Sequence, residues 1–286
     1  MLWNKKLLEG DHVRDIVPGI MNVVQQKSPV VVGIPIGAGD TGFAVHRGEF
    51  TSVLARSLAG STSMLLTMAV HAAVRHDIPC AYFSIDLSKE TLVQRMLCLY
   101  AGQKFPLSPM DTDYPALTAA AGALSEGAVY IHDGHYDIEL VDKTIRNLVE
   151  ARKVQLILLD TIDDVGLHDH PEARFLRSKR DRVCARLRML ASSLNVAIIG
   201  VIRTSQMLDH MRVNQDLNQA LLTAIQKEAG DIYRFSDNVA LFYTGDSSEI
   251  RELYFIKQKR TVAYNRSRLV LDTRSLRCSF IGEDWP

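Results

Sequence analysis

A chain of 286 residues is long enough for one large α/β domain or two small ones, and 47% hydrophobic content can fill a sizeable core. Thirty-three basic residues balance thirty-three acidic ones, so overall charge gives no sign of a nucleic-acid binder. The sequence contains no apolar run of the length that spans a membrane.

The opening stretch MLWNKKLLEGDHVRDIV scatters charge throughout and lacks the apolar core and cleavage site of a signal peptide, so a cytoplasmic location is expected. Residues 11–27 read as an amphipathic helix with Val13, Ile16, Val17, Ile20 and Val24 on one face and Pro18 as a kink or break. The Gly- and Pro-rich SPVVVGIPIGAGDTGF reads as an entry turn.

From there, short apolar runs alternate with helical patterns. FTSVLA (50–55) is expected as a buried strand and residues 62–76 as a helix with Leu65, Leu66, Ala69, Val70 and Ala73 on its stripe. CAYFSI (80–85) reads as a strand and 89–102 as a helix ending near Gly102. AVYIHD (128–133) reads as a strand and 138–153 as a helix. VQLILLD (154–160) has the composition of a buried strand, followed by a long basic helix and NVAIIGVI (195–202). NVALFYT, ELYFIKQ and RLVLDT close the chain as strands. The alternation predicts an α/β fold with a mostly parallel central sheet, helices on both faces and antiparallel strands at the C-terminal end. Such sheets bind ligands at the carboxyl ends of their strands. Cys80, Cys98, Cys184 and Cys278 lie far apart with no CxxC spacing, and the first three read as buried free thiols.

Three strand ends carry candidate chemistry. After 50–55 come Arg56, Ser57, Leu58, Ala59, Gly60, Ser61 and Thr62, opening a helix. A strand, a small-residue loop and a helix N-terminus make an anion site, although such junctions are also ordinary structure. Asp160 ends a buried strand and suits a magnesium-water contact or else a turn or cap role, which Asp163 and Asp164 could share. Asp86 follows the strand at 80–85, where a carboxylate either orients a water for attack on phosphate or supports the N-cap supplied by Ser88. The run RFLRSKRDRVCARLR (174–188) offers phosphate contacts or a solvated helix face.

The order of these signals resembles the C-terminal RecA-like motor of DnaB-type hexameric helicases from about residue 11 to 281. Gly33-Ile34-Pro35 with Gly37 is similar to that family's Gly-Ile-Pro-Thr-Gly entry, and Arg47-Gly48-Glu49-Phe50 to the Pro-Gly-Asp-Leu before its first strand. Ala55-Arg56 through Gly60-Ser61-Thr62-Ser63 resembles Ala-Arg-Pro through Gly-Lys-Thr, the Walker A loop. Phe83 to Ser88, with Leu92 and Arg95, resembles the Phe-Ser-Leu-Glu-Met-Ser element that bears the catalytic glutamate. Leu156 to Asp160 matches the Walker B strand. Leu187 through Leu190-Ala191 and Leu194-Asn195-Val196 resembles the family's Leu-Lys-x-Leu-Ala-x-x-Leu-Asn-Val segment. Lys227-Glu228-Ala229-Gly230 with Ile232 and Asp237 resembles Arg-Glu-Ser-Gly-x-Ile…Asp, and Ile256 to Arg260 resembles the Lys-Gln-Arg-Asn strand that reaches a neighbouring subunit's nucleotide.

The resemblance implies a RecA-like P-loop domain over 33–286, preceded by a linker-like helix and entry segment over 1–32 through which subunits assemble. No counterpart of the family's N-terminal collar domain is expected. ATP and Mg²⁺ are the implied cofactors. Arg56, Gly60, Ser61, Thr62 and Ser63 would hold nucleotide, Thr62 and Asp160 the metal, and Asp86, Asp160 and Arg203 would serve catalysis. Lys257 and Lys259 would act in trans. The channel-lining loops would fall at 165–178 and 205–224, with Arg174, Arg177, Lys179, Arg180 and Arg212 as candidate contacts to single-stranded DNA.

The departures bear on activity. Ser61 stands where the family has its phosphate-binding lysine, Asp86 where it has glutamate, Arg203 where it has glutamine, and Lys259 where it has the trans-acting arginine. Serine supplies no charge, and lysine lacks the planar fork of arginine. Loss of a charged phosphate contact typically costs roughly 10²–10³-fold in rate. The expected function is therefore that of a DnaB-like replicative helicase-family protein in DNA replication with impaired or absent ATP hydrolysis. The alternatives are an inactive RecA-like module that binds a helicase or another protein, and an active NTPase with an unusual phosphate loop.

Overall fold

The computed structural model describes residues 33–35, 44–166, 178–204, 230–245, 247–259 and 266–280. The chain divides into two compact units, Met1–Gly33 and Ile34–Pro286. The helix expected at 11–27 and most of the two channel-lining loops lie outside the described residues.

Strands β1 (Gly33–Pro35) and β2 (Ala44–His46) form a small two-stranded sheet. The nine other strands are β3 (Phe50–Ala55), β4 (Cys80–Ser84), β5 (Val129–Asp133), β6 (Leu156–Asp160), β7 (Ala197–Arg203), β8 (Asn238–Thr244), β9 (Ile250–Lys257), β10 (Arg266–Leu271) and β11 (Cys278–Phe280). They make one sheet in the order β11-β10-β9-β8-β3-β7-β6-β4-β5. Pairing is parallel from β8 to β5 and antiparallel from β8 to β11. The switch at β8 occurs where helical crossovers stop and strands begin to follow one another directly.

Helices α1 (Ser61–Val70), α2 (Lys89–Ala101) and α3 (Tyr114–Glu126) cover one face, and α4 (Ile138–Arg152), α5 (Lys179–Leu194) and the short α6 (Asp231–Phe235) cover the other. The inner strands β3, β4, β6 and β7 are therefore buried on both faces, whereas β5 at the edge is only partly buried. Side chains still alternate between the two cores. Val53, Tyr82, Leu158 and Val201 point toward α1, whereas Leu54, Phe83, Leu159 and Ile202 point toward α4 and α5.

Helix starts follow local side-chain chemistry. Ser88, Asp113 and Asp137 each accept a first-turn amide, and Ser178 forms a reciprocal capping box with Asp181. Periodicity does not announce helix α3, because its Ala-rich sequence has no polar–apolar contrast; the Asp113 cap and proline in its first turn are its signature. The helix expected over 62–76 is α-helical only to Val70 and continues as a π-helical turn, His71–Arg75. β7 starts two residues later than expected, because Asn195 closes α5 in the left-handed conformation at φ 52°. Cys80, Cys98 and Cys184 are buried free thiols, as read, and Cys278 is buried as well.

Candidate nucleotide site

The loop between β3 and α1 has the features of an anion cradle. Gly60 caps α1 at φ 94°, no side chain caps the helix, and its first turn holds no acidic residue. The first-turn amides of Ser61, Thr62 and Ser63 thus keep their donors for a ligand, at the positive end of the helix dipole. Gly60 also packs tightly, since a Cβ there would lie 2.9 Å from Leu271 Cδ2 of β10. Above the loop lies a cavity of about 500 Å³, whose walls include Arg56, Gly60 to Ser63, Asp86, Arg95, Asp160 and Arg203.

Strand parity explains why these side chains converge. Tyr82 and Leu158 face α1 from paired positions on β4 and β6, so Asp160, two residues after Leu158, faces α1 as well. Thr62 on α1 donates its hydroxyl to Asp160 Oδ2 at 2.6 Å, and Tyr82 donates its phenol to the same oxygen at 2.9 Å. Burial pushes the Asp160 pKa above the ordinary carboxylate value and Asp86 adds to this, while the bonds from Thr62 and Tyr82 and the charge of Arg203 oppose it. Burial and the same carboxylate push Tyr82 well above the usual phenol value.

Arg203 ends β7 with the parity of Val201, so it enters the cavity from the third strand. Its guanidinium pairs with Asp86 and lies 3.1 Å from Asp164 Oδ2. Its backbone amide donates to Asp163 Oδ2 at 2.6 Å. Asp86 is not the cap of α2: Ser88 fills that role, and Asp133 accepts the Lys89 amide. The Asp86 carboxylate is instead held by a cation that crosses the cleft.

The remaining candidates fall in different places. Arg56 is exposed on the loop and Ser61 lines the cavity. Lys257 and Lys259 sit at the opposite end of the sheet, because Lys257 pairs with Val239 at the start of β8 while the loop follows the end of β3. Lys257 Nζ donates to the carbonyls of Tyr233 and Ser236 at 2.6 Å each. Burial and the nearby Arg188 lower its pKa, against the pull of Asp237. Lys259 is half-exposed, 3.4 Å from Asp237 Oδ1.

At the start of α5, Arg180 pairs with Asp163, and Lys179 Nζ donates to the Asp163 carbonyl at 3.4 Å. Both line a second cavity of about 300 Å³ with Ile162 and Ser178. Farther along the basic run, Arg186 pairs with the buried Asp142 and Arg188 with Asp237. Arg174, Arg177 and Arg212 lie outside the described residues.

Three residues of the site carried no functional assignment in sequence. Tyr82 is a polar-tipped residue inside an apolar strand, which signals a buried partner for its hydroxyl. Arg95 lies with its guanidinium 5.1 Å from the centroid of the Phe105 ring, and its Nε has no acceptor. Arg251, on β9, donates from Nε to the Ala59 carbonyl at 2.6 Å. Only a charged residue within a strand hinted at it.

Residues 40–275 match the family model for the DnaB-like helicase C terminal domain. The chain is 25% identical over 269 residues to the replicative DNA helicase DnaC of Bacillus subtilis (strain 168), which covers 87% of this chain and 57% of that protein. It is 25% identical over 262 residues to the replicative DNA helicase DnaB of Geobacillus stearothermophilus, covering 84% of this chain and 55% of that one. The chain thus spans a little over half the length of these curated relatives. A solved structure of a DnaB-like replicative helicase superposes with a TM-score of 0.77 at 15% identity, covering 94% of this chain and 68% of that one, and shares the fold.

Proposed function

Because this chain belongs to the DnaB-like helicase C-terminal domain family, we propose that it is a replicative helicase-family module of DNA replication that binds ATP with Mg²⁺ and hydrolyses it poorly or not at all. One observation carries the reading: the cradle and the Thr62–Asp160 pair are assembled, whereas Asp86 is tied to Arg203 and Ser61 brings no charge to the cavity. A carboxylate that serves as base or water-orienting group must face the nucleophile, and one held by a guanidinium does not.

The donor set fits magnesium. Thr62 and Asp160 offer hard oxygens side by side at the foot of α1. No group of three or more His, Cys, Asp or Glu side chains that could hold a metal occurs among the described residues. An ion here would complete its shell with water and phosphate oxygens, as Mg²⁺ commonly does. When bound, it neutralises charge on the phosphate oxygens.

Single-stranded DNA is the proposed polymer partner, held through charge by Lys179 and Arg180 together with Arg174, Arg177 and Arg212. Self-assembly into a ring, or docking on a heterologous helicase ring, is the proposed assembly. The placement of Lys257 and Lys259 far from their own phosphate loop supports a role toward a neighbour's site. Among the described residues no helix is long and apolar enough to cross a membrane.

Calorimetric titration with MgATP, with hydrolysis followed on the same sample with and without single-stranded DNA, tests the proposal. Saturable binding with turnover at background is expected. DNA-stimulated turnover overturns the loss of chemistry, and absence of binding overturns the nucleotide site.

A further inference from the structure

Arg251 is only 6% exposed, so its guanidinium is largely buried beneath the phosphate loop. Its Nε donates to the Ala59 carbonyl at 2.6 Å, and its Nη1 donates to the carbonyls of Ser248 at 2.7 Å and Ile250 at 3.1 Å. A Cβ built on Gly60 would lie 3.8 Å from that Nε. Among the described residues no carboxylate pairs with Arg251, and its acceptors are main-chain carbonyls. Burial lowers its pKa, with the Cys278 thiol acting in the other direction.

A buried cation satisfied only by neutral oxygens has its hydrogen bonds but lacks its countercharge. The nearest place for an anion is the loop directly above, whose first-turn amides have no side-chain cap.

We propose that Arg251 is the fixed positive charge of the phosphate site, standing behind the loop in place of the lysine absent at position 61, and that the anion it attracts is the polyphosphate of a nucleotide. The proposal rests on the nucleotide binding inferred above and names its source of charge. Arg251 does not line the cavity, so it is a positioning residue that acts through the loop. Donation to the Ala59 carbonyl polarises the Ala59–Gly60 peptide and strengthens the Gly60 N–H as a donor. The guanidinium also adds an attractive field through the loop. It leaves Asp86 where it is, so it restores affinity and not turnover.

The test compares wild type, R251M, R251K and S61K/R251M in calorimetric binding of MgADP and of inorganic pyrophosphate. R251M is expected to weaken both by roughly 10-fold or more, R251K to keep most of the affinity, and S61K/R251M to recover it. A merely structural prop would not be replaced by a lysine on the other side of the loop. Pyrophosphate affinity equal to wild type in R251M, or no recovery in S61K/R251M, overturns the proposal. Should R251M fail to fold, R251Q takes its place, and equal affinities for R251Q and R251K sink the idea. If wild type binds neither probe, the nucleotide reading falls with it; if wild type binds and R251M is unchanged, this inference alone falls.

Discussion

Thr62 and Asp160 meet at 2.6 Å across the base of the phosphate loop, joining the first turn of α1 to the end of β6, and Tyr82 reaches the same carboxylate oxygen at 2.9 Å. The pair holds the carboxylate in a place that raises its pKa, chiefly by burial. The folded chain therefore keeps this proton more tightly than the unfolded chain. Stability is greatest below the unfolded value and falls as pH climbs from there through the folded value. D160N should remove that loss, raise the melting temperature of the free protein at neutral pH and flatten this part of its pH–stability curve. It should also weaken magnesium-dependent nucleotide binding. Thermal melts from pH 3.5 to 8, about the range in which carboxylates titrate, check the first effect, and calorimetry checks the second.

Gly60 holds a left-handed backbone at φ 94° with Leu271 pressed against it. G60A is expected to cost about 1–2 kcal/mol from the backbone alone, with more from the contact. Denaturant melts read the loss. Nucleotide affinity should fall further than stability predicts, because the strain is released by reshaping the loop.

A Cβ on Gly200 would collide with Ile162 Cδ1, on the sheet face opposite α1. Ile162 opens the turn that carries Asp163 and Asp164. G200A should destabilise by about 1–3 kcal/mol through overpacking. I162A in the same chain should recover part of that, so the two changes should be non-additive in a double-mutant cycle.

The two lysines at the end of β9 should separate by measurement. Lys257 donates to two carbonyls that methionine would leave unsatisfied, so K257M should lose about 1–3 kcal/mol of stability. Lys259 is 49% exposed, and K259M should stay within about 0.5 kcal/mol of wild type. Any effect of K259M should appear in assembly or in nucleotide response, which sedimentation with and without MgATP would reveal.

Much of this was legible in sequence because parallel strands buried on both faces are unbroken apolar runs. FTSVLA and NVALFYT coincide with β3 and β8, and the other long strands shift by two residues or fewer. Three-residue strands such as β2 and β11 are too short to show a period. The collinear order of Gly60, Asp86, Asp160 and Arg203 located the candidate centre, since topology brings the ends of adjacent parallel strands together. What sequence did not show was how charges are shared. Arg186 and Arg188 read as part of a basic stripe, yet their partners Asp142 and Asp237 come from distant segments. Arg251 is brought beneath Ala59 by β9, nearly two hundred residues away in the chain, and no local pattern announces that contact.

The Arg203–Asp86 pair has side chains 41% and 57% exposed, so it contributes little to stability, about 0–1 kcal/mol. Its weight is chemical: together with Ser61 in the lysine position, it underlies the proposed loss of ATP hydrolysis. The direct measurement is ATP hydrolysis with single-stranded DNA by wild type and by S61K/D86E/R203Q, both shown to be folded and to bind MgATP. Background turnover is expected in wild type, with a rate roughly 10²–10³-fold higher or more in the triple variant. DNA-stimulated turnover in wild type at the rate of the triple variant, or a nucleotide-saturated triple variant that stays at background, would contradict it.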